Sequence, residues 1–132
     1  MNSIPQELNW VEKRAACNIA EVFHQLCLEI GSDIIAINTT KHKDDLFLHF
    51  QQDSLQDGSV VIGQPKRTPR VTVMIGIVDQ KIMVRNQATQ EQWSATVGLN
   101  NEGRCVLKLE DSSELETWQF RKKALDALFF LD

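Results

Sequence analysis

The stretch Val71-Thr72-Val73-Met74-Ile75-Gly76-Ile77-Val78-Asp79-Gln80-Lys81-Ile82-Met83-Val84-Arg85 decides the fold. Val71, Val73, Ile75 and Ile77 recur at every second position, with Thr72, Met74, Gly76 and Val78 between them. A period of two sorts the sets onto opposite faces of an extended strand. Asp79-Gln80 reads as a tight turn into a second run, whose apolar pair is Ile82 and Val84. Neighbouring runs joined this closely are antiparallel, because parallel neighbours need a long crossover.

The alternation continues on both sides. Downstream, Gln87 to Gln92 is polar, and Trp93, Ala95, Val97 and Leu99 then alternate with Ser94, Thr96 and Gly98. Asn100-Asn101-Glu102-Gly103 is a hairpin signal, since Asn and Gly accept left-handed backbone angles. Cys105, Leu107 and Leu109 complete the last strand. Upstream, Gln64 to Arg70 holds two prolines and reads as a loop or sheet edge. Val60 to Ile62 is a short strand and Gln52 to Gly58 a loop. Leu46, Leu48 and Phe50 alternate like a strand after the polar turn Lys41 to Asp44, and the β-branched residues of Asp33 to Thr39 suggest another.

At the two ends the period becomes helical. Leu8, Val11, Ala15, Ile19, Val22, Leu26 and Ile30 share one face of a helix expected from about residue 5 to residue 30. Ser3 with Gln6 has capping-box spacing, Pro5 suits the first turn, and Gly31 is a natural stop. A second capping box, Ser113 and Glu116, opens a final helix. Leu115, Trp118, Leu125 and Phe129 form one stripe on it, and Phe120, Ala124, Leu128 and Leu131 a neighbouring one. The expected fold is α+β: a mainly antiparallel sheet of five to seven strands, with an N-terminal and a C-terminal helix on one face, as a single domain over residues 1–132. The other sheet face is left to solvent or a partner.

Composition narrows the function classes. The 132 residues are 42% hydrophobic and 24% charged, an ordinary globular mix. The net charge of −4 lowers the expectation of nucleic-acid binding, which draws its strength from phosphate neutralisation. No apolar run spans a membrane and no signal peptide is visible, so the expected location is cytoplasmic. The three cysteines, Cys17, Cys27 and Cys105, read as reduced core thiols.

Few residues point to chemistry. Lys66, Arg67 and Arg70 place three cations within five residues, a loop that could hold a phosphate or an acidic partner; its ordinary reading is a solvated loop that guards a sheet edge. His24 and Cys27 are three apart on a helix, but no second ligand pair accompanies them and both cysteines of the first helix lie in its apolar arc. His42, Asp44, Asp45 and His49 cluster in sequence, with turn chemistry as the ordinary reading and His49 as a binding candidate. No Walker loop, dinucleotide glycine pattern or nucleophile elbow occurs. No metal or cofactor is expected. Phe129, Phe130 and Leu131 cannot all face one layer, which suggests a contact between two copies.

In size, acidity and helix–strands–helix order the chain resembles type III secretion chaperones, which are dimeric and hold an extended effector segment. The resemblance lies in bulk properties and involves no residue motif, so it implies no site residues. Those chaperones carry a helix between their middle strands, for which only Gln87 to Gln92 is available here. The expectation is a non-enzymatic interaction protein, chaperone-like, immunity-like or accessory. It would be homodimeric and would use the sheet face or a helix–sheet groove. The alternatives are a small enzyme or ligand-binding domain with a pocket between sheet and helices, and phosphate or nucleic-acid binding through residues 66–70.

Overall fold

In the computed structural model, which describes residues 10–131, α1 (Trp10–Ala16) and α2 (Ile19–Thr40) precede the strands and α3 (Thr117–Phe129) follows them. The strands are β1 (Gln51–Ser54), β2 (Val60–Gly63), β3 (Thr72–Val78), β4 (Lys81–Asn86), β5 (Glu91–Leu99), β6 (Cys105–Leu109) and β7 (Glu114–Leu115). They form one sheet in chain order, each antiparallel to the next. The α+β reading therefore holds.

Period-two patterning sets the faces. Ile62, Val73, Ile75, Ile82, Val84, Ala95 and Leu107 are buried and join α2 and α3 in one core cluster. The intervening positions form cross-strand rows on the other face, such as Met74–Arg85–Gln92 and Thr96–Lys108. Asp79 and Gln80 both take positive φ, 52° and 64°, as a two-residue hairpin turn requires.

The N-terminal helix departs from expectation. Asn18 interrupts it: its backbone is extended, and its Oδ1 accepts the Glu21 N–H at 2.9 Å as the cap of α2. α2 then runs through Gly31 to Thr40, absorbing the strand expected at residues 33–39. Ile34 and Ile37 extend the buried stripe of Val22, Leu26 and Ile30, and that burial outweighs their β preference. Gly31 serves packing instead of ending the helix: Gln52 Oε1 lies 3.7 Å from where a Cβ would stand, and Gln52 Nε2 donates to the Cys27 carbonyl. Ser3, Pro5 and Gln6 lie outside the described residues.

Two further segments differ. Leu46–Leu48 is a 3-10 turn capped by Asp45, whose carboxylate accepts from Phe47 N. The first strand begins only at Gln51, within the stretch read mostly as a loop. Asn38 fixes that point, donating to the Phe50 carbonyl at 3.1 Å and accepting the Phe50 N–H at 2.8 Å. At the other end Ser113 bonds to Asp111, Glu114 and Leu115 pair with β6, and the capping box is formed by Glu116 and Gln119, three residues later than expected.

Cys17 and Cys105 form a disulfide with Cα atoms 5.5 Å apart, so the expectation of three reduced thiols is corrected. Residues 88 positions apart in sequence meet because the α1–α2 junction sits beside the start of β6. Cys27 is the free thiol, and burial pushes its pKa up. Gln87–Gln90 is a turn organised by Asn86, whose Oδ1 accepts the Ala88 and Thr89 N–H groups. The helix that type III secretion chaperones carry between middle strands has no counterpart there.

Candidate functional site

Two helices side by side leave a trough wherever the side chains between them are small. Arg121 of α3 donates from Nε to Asp33 at 2.7 Å and from Nη1 to Glu29 at 2.8 Å. Eight residues further along each helix, Lys41 Nζ donates to the Phe129 carbonyl at 3.2 Å. The matched spacing means that α2 and α3 run in the same direction. Between these ties lies an open trough of about 340 Å³. Ala36, Ile37 and Thr40 line it from α2, and Leu125 and Phe129 from α3.

The rim carries the unusual residues. Trp118, Lys122, Asp126 and Phe130 all line the trough and are all exposed. Trp118 is 52% exposed and Phe130 60%, although both are large apolar side chains. Each is held in place: Trp118 Nε1 donates to Glu116 at 2.9 Å, and Lys41 Nζ stands 5.2 Å above the Phe130 ring. Fixing an aromatic ring in water lowers the entropy cost of later burying it in an interface.

The sequence-predicted residues are distributed differently. Phe129 is in the chain's own core, its ring 4.9 Å from Phe50, whereas Phe130 and Leu131 are exposed. The three residues thus do not form one surface. In the basic loop, Arg67 donates to Gln64 Oε1 at 3.0 Å and Arg70 pairs with Asp53 at 3.3 Å, so two of its cations fasten the loop to the fold. Lys66 is exposed. His49 follows the 3-10 turn and donates to the His42 carbonyl at 2.8 Å. His42 is buried beside Phe50, and its Nε2 has no hydrogen-bond partner among the described residues. His24 is exposed to solvent, whereas Cys27 is half-buried and burial pushes its thiol pKa up.

Asp57 and Asp111 have carboxyl pKa values below the usual range, each because a serine two residues on, Ser59 or Ser113, donates to it from both hydroxyl and backbone. Both sit in turns, where the bonds shape the backbone. Among the described residues no group of three His, Cys, Asp or Glu side chains could hold a metal ion. None of the described helices is long and apolar enough to cross a membrane.

The trough escapes a reading of the sequence because Trp118 fits a core stripe of the last helix equally well. The available signal is the i+4 series 118, 122, 126, 130, which forms one ridge on a helix. Comparisons with protein-family models, curated proteins and solved structures find no match to this chain.

Proposed function

We propose that the protein is a non-enzymatic interaction module whose docking surface is the trough between α2 and α3. The observation that carries this reading is the pair of exposed rings, Trp118 and Phe130, each contacted by a polar side chain on the rim of an apolar trough. Aromatic anchors beside a concave apolar surface are what protein interfaces concentrate their energy in. The helix–helix trough takes the place of the sheet face or helix–sheet groove expected from sequence.

A photo-crosslinking amino acid in place of Ala36, on the trough wall, tests the reading in the full chain within its own host. The expected result is one discrete polypeptide adduct, identified by mass spectrometry and abolished by Phe130→Asp. The same adducts from a probe at exposed Gln56, or no adduct from position 36, would overturn it.

Composition suggests the cytoplasm as the compartment, and the Cys17–Cys105 bond argues for an oxidising one. Intact mass after alkylation without reductant, on protein from its native host, distinguishes them.

A further inference from the structure

We infer that the occupant of the trough is a second copy of this chain, docked by antiparallel pairing of α3 with its two-fold mate. The inference rests on the docking reading above and adds the partner and its register.

The ridge Trp118–Lys122–Asp126–Phe130 reads aromatic, cation, anion, aromatic at four-residue steps. It is about 18 Å long at the helical rise of about 1.5 Å per residue. A two-fold axis makes an isologous contact: if residue i meets residue j of the mate, residue j meets residue i. When two such ridges lie antiparallel with the axis at the level of residue 124, each Lys122 faces the mate's Asp126. The same register sets each Trp118 against the mate's Phe130. One placement therefore satisfies both the charges and the rings.

The charges are available for this purpose. Among the described residues neither Lys122 nor Asp126 has an ion-pair partner in its own chain. Arg121 and Asp33, next to them on the trough wall, are already committed to each other. A different polypeptide would have to supply the complementary sequence, whereas a second copy carries it.

Sedimentation velocity on the full chain, from about 1 to 100 µM, tests the inference together with Lys122→Glu and Asp126→Lys. Wild type should associate to a dimer within that range. Each single variant places two like-charge pairs in the contact and should weaken association by about tenfold or more. An equimolar mixture of the two variants should recover it, because in a heterodimer every carboxylate at position 122 or 126 again faces an ammonium group of the mate. Thermal melts establish that both variants are folded. Wild type that stays monomeric, association indifferent to either reversal, or a mixture no tighter than the single variants would overturn the inference. The Ala36 cross-link separates the two claims: an adduct with another polypeptide, alongside monomeric sedimentation, sinks self-pairing and leaves the docking reading standing.

Discussion

Arg121 of α3 meets Asp33 of α2 across the helix pair at 2.7 Å, with its side chain 16% exposed. The same guanidinium reaches Glu29, so one cation holds two carboxylates that would otherwise face each other without it. This tie sets the separation of α2 and α3 and hence the wall of the trough. Arg121→Met is expected to cost about 1–3 kcal/mol, less than a fully buried pair because all three groups keep some water. Urea denaturation checks this. A loss below about 0.5 kcal/mol would place the tie among surface pairs of little consequence.

The Cys17–Cys105 bond closes most of the chain into a loop, the two residues being 88 apart. Restricting the unfolded chain this way stabilises the fold by about 2–4 kcal/mol. Cys17→Ser with Cys105→Ser should lose that amount, and reductant should have no further effect on the variant. Equal melting of wild type with and without reductant would show that the bond contributes nothing.

Gly76 lies buried in β3, and a Cβ there would stand 2.8 Å from Ser59 Cβ. Ser59 cannot retreat without breaking its bonds to Asp57. Gly76→Ala is therefore expected to destabilise by about 1–3 kcal/mol. Gly98→Ala in β5 is the control, since nothing lies within 4 Å of its added methyl. Similar chemical-denaturation midpoints for the two variants would refute the steric account.

Asp57 and Asp111 both have lowered native pKa values, through the hydrogen bonds from Ser59 and Ser113. A native value below the unfolded one means the unfolded chain takes up protons first as pH falls. The stabilisation is complete above the unfolded value and is lost as pH drops from about 4 through the lower native values. Stability measured between about pH 6 and pH 2 should fall less steeply in the Asp57→Asn, Asp111→Asn double variant. A parallel fall in both proteins would show that other groups carry the acid sensitivity.

Much of this architecture is legible residue by residue. The alternation from Val71 to Val84, the Asp79-Gln80 turn and the Asn100–Gly103 hairpin are set by local backbone preference and period, and strands β3 to β6 stand where those signals lie. The trough is harder to read. Its rim is a periodic series along α3 that ends on the C-cap residue Phe130, but its wall is α2, and α2 is long enough to form it only because Ile34 and Ile37 find the sheet.

The sequence alone determined that the middle of this protein is an antiparallel sheet and that its C-terminal segment is a helix, because side-chain period and turn chemistry act over a few residues. Only tertiary structure decided that residues 33–40 are helical, that Phe129 turns inward while Phe130 turns outward, and that Cys17 meets Cys105. Each of those outcomes depends on a neighbour distant in sequence, whose position exists only once the chain has folded.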